Sequence, residues 1–181
     1  WSSDVCSSDL GNWMNWYIIF ENNEKIKDLL VWFNKQPDMK AFIVKSERFW
    51  KKDGKKMFIE KPMYPNYIFV ETNLDSKEFY DVVSKLEGNL SSTMKVLQND
   101  TQSVMSLSNE KKEFLESLLN EDHSIVHSTG VIVNSKLIVQ EGPLMGKEEM
   151  IKKIDCHKRT VILGSLFGRM IKVPLEVTSK S

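Results

Sequence analysis

Lys61-Pro62-Met63-Tyr64-Pro65-Asn66-Tyr67-Ile68-Phe69-Val70-Glu71 decides how the front of this 181-residue chain is read. Pro62 and Pro65 fix their own φ at about −65° and push Lys61 and Tyr64 toward extended geometry. From Asn66 onward aromatic and β-branched residues alternate with period two. That places Tyr67 and Phe69 on one face of a strand and Ile68 and Val70 on the other. A strand apolar on both faces is central in its sheet, or one of its faces is covered by another molecule. Its stiff mouth holds Tyr64, Pro65 and Tyr67 where a partner can meet them.

The flanking segments alternate in type. Asn15-Trp16-Tyr17-Ile18-Ile19-Phe20 reads as a strand ended by Asn22-Asn23. Glu24 to Phe33 carries Ile26, Leu29, Leu30 and Phe33 at helical spacing, and Pro37 closes it. Ala41 to Val44 is a second strand. Lys45 to Lys61 is basic, with Lys51-Lys52-Asp53-Gly54-Lys55-Lys56 as an exposed hairpin tip. Met57–Glu60 and Asn66–Thr72 are further strands. Asp75-Ser76-Lys77-Glu78 has the form of a capping box. It opens a helix with Phe79, Val82, Val83 and Leu86 on one side, ended by Gly88. Thr93 to Leu97 is the last strand. The order βαββαβ predicts a ferredoxin-like α+β domain over residues 14–98.

Residues 99–127 read as an acidic connector with a short helix. Ser108 caps it, and Phe114, Leu115, Leu118 and Leu119 line one side. From Ser128 the texture changes to short strands at Gly130–Val133, Leu137–Val139, Met150–Ile151, Thr160–Leu163 and Met170–Val173. Turn residues separate them, which predicts a small five-stranded β-barrel over residues 128–181.

Composition narrows the function. The formal charge of zero conceals 16 Lys and Arg against 20 Asp and Glu in residues 1–127, and 9 against 5 in residues 128–181. A balance of −4 in front and +4 behind suits different partners for the two ends. No window is apolar enough to span a membrane. Cys6 and Cys156 have no CxxC spacing, so neither a zinc site nor a disulfide framework is expected, and a reducing, cytoplasmic setting fits. The opening WSSDVCSSDL repeats SSD and lacks the basic start and apolar middle of a signal peptide. It resembles translated adapter sequence, so residues 1–13 are set apart as a non-native leader with Met14 as the expected start.

The two halves together resemble the NusG family of transcription elongation factors. The first matches its N-terminal domain from Trp16-Tyr17 through the Tyr64–Val70 strand. The second matches its KOW domain, an SH3-like barrel, in Leu137-Ile138-Val139-Gln140-Glu141-Gly142-Pro143-Leu144-Met145-Gly146 and in Leu163-Gly164-Ser165-Leu166-Phe167-Gly168-Arg169. The stretch GPLMGKEEMIKKIDCHKRTVIL is most similar to the specialised LoaP-type antiterminators. One departure stands out: the family commonly has Gly where this chain has Asn66, a residue that tolerates unusual backbone geometry. The resemblance implies a non-enzymatic, monomeric factor without cofactor or metal, promoting processive elongation and antitermination. The alternatives are a general factor coupling polymerase to Rho or to the ribosome, and a KOW-containing ribosome-associated protein.

It also implies site residues. Trp16, Tyr64, Pro65 and Tyr67 match the pocket for the clamp helices of RNA polymerase, an apolar groove for an amphipathic helix. Lys51, Lys52, Lys55 and Lys56 are either a solvated hairpin or a contact with nucleic-acid phosphates. Lys152, Lys153, His157, Lys158 and Arg159 flank a turn at Asp155-Cys156 and are either a solubilising hairpin end or a contact with nascent RNA. Gly142, Pro143 and Gly146 shape the KOW turn. Asp155-Cys156-His157 is not a catalytic group, because adjacent residues in extended chain point opposite ways. His123 and His127 lie in a polar connector with no third ligand beside them.

Overall fold

Period-two segments fold as strands and 3.6-period segments as helices, so the fold is α+β, as the pattern predicts. The computed structural model describes residues 15–20, 23–85, 95–96 and 106–181. The chain divides into two units, one running up to Ile43 and again from Tyr64 to Lys112, the other joining Val44–Met63 to Glu113–Ser181.

The first unit is a four-stranded sheet backed by helices. Its strands are β1 (Asn15–Phe20), β2 (Met39–Phe42), β5 (Tyr67–Thr72) and the two-residue β6 (Lys95–Val96), in the order β2-β5-β1-β6. Its helices are α1 (Asn23–Lys35) and α2 (Ser76–Ser84). The capping box forms as expected: Glu78 N–H donates to the Asp75 carboxylate at 2.8 Å, and Asp75 N–H to the Glu78 carboxylate at 3.0 Å. Tyr17, Ile19, Ile68 and Val70 share one face of the sheet and pack with Leu29 and Phe33 of α1 and Phe79 of α2. Tyr17 stacks on Phe79 with centroids 4.1 Å apart, and its hydroxyl donates to Leu74 O at 2.8 Å. Burial pushes the Tyr17 phenol up from its ordinary value. Leu86, Gly88 and most of the strand expected at Thr93–Leu97 lie outside the described residues.

The second unit begins with β3 (Lys45–Lys52) and β4 (Lys55–Pro62), an antiparallel hairpin whose turn residues Asp53 and Gly54 have φ of 51° and 76°. It then takes in most of α3 (Asn109–Leu118) and the short β7 (Ser124–Ile125), whose parallel ladder on β3 pairs Lys45 with Ser124 and Ser46 with Ile125. Five strands follow: β8 (Ser128–Val133), β9 (Lys136–Glu141), β10 (Lys153–Asp155), β11 (Thr160–Leu166) and β12 (Arg169–Lys180). Their order is β10-β11-β12-β8-β9, with β12 and β8 parallel.

Three expectations change. The basic hairpin was expected inside a domain of residues 14–98, with 99–127 as a connector. Instead β3 is held by β7 and touches β12, because its ladder edge and its apolar Phe49 find their partners there. The strand expected at Met150–Ile151 is a 3₁₀ turn at Glu148–Met150; Met150 and Ile151 spend their N–H groups on Lys147 O and Glu148 O, three residues back. The closed barrel is observed as a five-stranded sheet: among the described residues no ladder joins β9 to β10.

Candidate functional site

The residues singled out from the sequence fall in both units: the aromatic group in the first, the basic groups and the glycine turn in the second. In the first unit, residues directly opposite in an antiparallel ladder point the same way. The pairs Ile18–Phe69, Phe20–Tyr67 and Phe42–Phe69 therefore put these side chains, with Trp16, on the face opposite both helices. Trp16 meets Phe42 edge-on at 5.2 Å, Phe42 stacks on Phe69 at 5.9 Å, and Tyr64 lies 6.2 Å from Phe69. The mouth of β5 is a turn in which Tyr67 N–H donates to Tyr64 O at 3.2 Å. Asn66 occupies its third position at φ 72°, the geometry of a type II turn with proline before it. The turn thus survives the exchange of Gly for Asn. Trp16, Tyr64 and Tyr67 are only 1%, 4% and 8% exposed, while Pro65 stands in solvent. Among the described residues, the Trp16 indole N–H and the Asn66 side-chain oxygen are buried without a hydrogen-bond partner.

In the second unit the hairpin tip is as basic and exposed as expected. Lys51 sits opposite Lys56 and Lys52 opposite Lys55, two like-charge pairs that oppose the ladder. Trp50 and Met57, paired just below them, are 43% and 46% exposed, and the Lys61 ammonium lies 5.1 Å from the Trp50 ring.

The second basic group splits. Lys152, Lys153, His157 and Lys158 are exposed. The turn between β10 and β11 spans Cys156–Arg159 rather than Asp155-Cys156 alone, because the Asp155 carboxylate accepts the Lys158 N–H at 3.0 Å. That hydrogen bond, helped by the Lys158 charge, holds the Asp155 carboxyl below its ordinary range. Arg159 has a different fate. Its guanidinium donates to Glu176 at 2.8 Å and lies 3.9 Å from the Phe49 ring centre, fastening the hairpin to β12. His127 works in parallel, with Nδ1 3.0 Å from Glu47 and its ring stacked on Phe58 at 4.1 Å. Among the described residues no group of three or more His, Cys, Asp or Glu is placed to hold a metal ion.

The glycine turn is built for shape. Gly142 has φ 105° and lies so close to β8 that a Cβ there would be 2.6 Å from Ser128 Cα. The Ser128 hydroxyl accepts the Leu144 N–H at 3.0 Å, so the turn is locked to the strand beneath it. Gly146 has φ 79° and open space around it.

The sequence reading missed Glu47, Arg48 and Phe49. The stretch from Lys45 to Lys61 reads as basic, although Ser46-Glu47-Arg48-Phe49-Trp50 within it has the mixed, aromatic texture of an edge hairpin.

The first unit is thus a helix-backed sheet with buried aromatic rings on its other face, and the second a strand-rich unit with exposed cations on its hairpin and its β10–β11 turn. The family model of NusG, the transcription termination factor, matches residues 14–116, more than half of the chain, and the chain belongs to that family. Its members are non-catalytic transcription factors that bind RNA polymerase. No curated protein matches the chain, and among the described residues no helix is long and apolar enough to cross a membrane.

Proposed function

We propose that this chain is a specialised, LoaP-type member of the family that docks on the clamp helices of RNA polymerase and promotes processive antitermination. The observation that carries the docking is the face of the first sheet that neither helix packs against: Trp16, Ile18, Phe20, Phe42, Tyr67 and Phe69, with Tyr64 at its rim. The order β2-β5-β1-β6 supports a ferredoxin-like arrangement of that unit. An amphipathic helix laid on such a face buries several aromatic rings at once, which makes them hot-spot candidates. Because the rings are buried here, docking includes uncovering them. Residues 128–181 act as the KOW domain and contact nascent RNA through Lys152, Lys153, His157 and Lys158, with Lys51, Lys52, Lys55 and Lys56 adding phosphate contacts.

The test is capture by purified core polymerase. Replacing Tyr64 and Tyr67 with Ala should weaken binding by about 2 kcal/mol or more if both rings are hot spots. A folded double variant that binds as well as the parent would sink the docking assignment. One observation favours the general-factor alternative: Val133, Ile138, Met145 and Met150 of the second unit are exposed apolar residues suited to a protein partner such as Rho or a ribosomal protein. Terminator read-through in a purified transcription system separates the two readings. Read-through on a dedicated leader is expected, and uniform effects on every template would favour the general factor.

A further inference from the structure

Within the second unit a cleft of about 680 Å3 opens between the hairpin strand β3 and the strands β10, β11 and β12. Arg48 lines it from the hairpin, and Lys153, His157, Lys158 and Lys172 line it from the sheet. Arg48, Lys153, Lys158 and Lys172 are exposed, and none of these four is in an ion pair among the described residues. Nearby cations are already spent, Arg159 on Glu176 and Lys45 on Glu60. Cations outside any ion pair are thus gathered where two segments distant in sequence meet.

We propose that this cleft binds a short single-stranded segment of RNA. The inference rests on the RNA reading above and assigns the site of contact. Four cations against the two carboxylates of Glu47 and Asp155 leave the lining net positive, which favours an anionic chain. The volume lies within the roughly 300–1,000 Å3 that enclose a small ligand, which suits one or two nucleotides and is too small for a duplex. Two carboxylates, Glu47 and Asp155, also line it. They serve no purpose toward phosphate, but they accept hydrogen bonds from 2′-hydroxyls and base amino groups, which an unpaired strand offers. Met63, Met170 and Pro174 supply apolar wall for a splayed base. A phosphate-only surface would dispense with both features.

The experiment uses the full chain and a short fluorescent oligoribonucleotide, with the DNA strand of the same sequence and the RNA duplex as comparisons. Anisotropy is followed across salt concentration. The single-stranded RNA should bind tightest. The Arg48→Ala/Lys172→Ala variant should bind it more weakly, with a salt slope shallower by about 1.4, from two lost contacts at about 0.7 each. Its capture by polymerase should be unchanged, since both residues lie outside the aromatic face. If the parent binds RNA but the variant keeps the parent's affinity and slope, the cleft is overturned while the RNA reading stands. Equal binding of RNA and DNA strands overturns the role given to Glu47 and Asp155. Absence of RNA binding by the parent overturns both the cleft and the RNA reading, leaving polymerase docking to its own test.

Discussion

Replacing Arg159 with Ala should destabilise the second unit by about 2 kcal/mol, the sum of three modest losses at one side chain. The guanidinium is 2.8 Å from Glu176, with the two side chains 24% and 35% exposed. After solvent screening such a pair is worth about 0.5–1 kcal/mol. Its position 3.9 Å from the Phe49 ring centre adds about 0.5–1 kcal/mol of cation–π attraction. The packed methylene stem adds about 0.5 kcal/mol more. Arg159 has φ 51°, a left-handed conformation that Ala finds as costly, so the backbone penalty cancels and the change reports the side chain. Urea unfolding followed by hydrogen exchange in β3 and β12 would localise the loss, and a double-mutant cycle with Glu176→Gln should return a coupling of about 0.5–1 kcal/mol. A variant as stable as the parent but impaired in RNA binding would refute the anchoring role and return Arg159 to the nucleic-acid surface.

Gly142→Ala should cost about 3 kcal/mol, combining a left-handed penalty with a 2.6 Å clash against the Ser128 backbone, whereas Gly146→Ala should cost only about 1 kcal/mol; melting temperatures of the two variants would show the gap. Asn66→Gly should stabilise the first unit by about 1 kcal/mol, since removing a buried oxygen without a partner outweighs the added chain entropy, and a lower denaturation midpoint would contradict this. The Asp155 carboxyl is depressed in the folded state, so its contribution to stability is fully present above the ordinary carboxyl pKa and disappears as pH falls through the depressed one. Asp155→Asn should accordingly be less stable than the parent near neutrality, and the difference should vanish in strong acid.

Much of the first unit was legible because its signals are local. Alternation at Asn66–Val70, the helical spacing of Ile26, Leu29 and Phe33, and the box at Asp75–Glu78 each specify an element within a few residues. Alternation separates Trp16 from Tyr17 without saying which faces the helices; the register of β1 on β5 puts Trp16 on the side away from them. What sequence could not supply was partnership at a distance. Nothing near Phe49 announces Arg159, and nothing near His127 announces Glu47 eighty residues earlier. Arg159 looked like one more cation in a basic run because its neighbours in sequence are exposed and its neighbours in space were unknown. The 3₁₀ turn at Glu148–Met150 escaped for a smaller reason: two apolar residues in a row look alike in a short strand and in a tight turn.

The placement of the hairpin bears on how the chain comes into being. Lys45–Pro62 is synthesised before its ladder partner β7 and its clamps Arg159 and Glu176, which follow some 60 to 130 residues later. Until then the hairpin carries Phe49, Phe58 and seven Lys and Arg on a two-stranded ribbon, an element marginally stable by itself. The second unit therefore completes only after β12 has been made, while β1, β2 and β5 of the first are available sooner. A transplanted C-terminal segment would leave its hairpin behind, so exchange of that segment between relatives must carry Val44–Met63 with it or rebuild the contacts at Phe49 and Glu47.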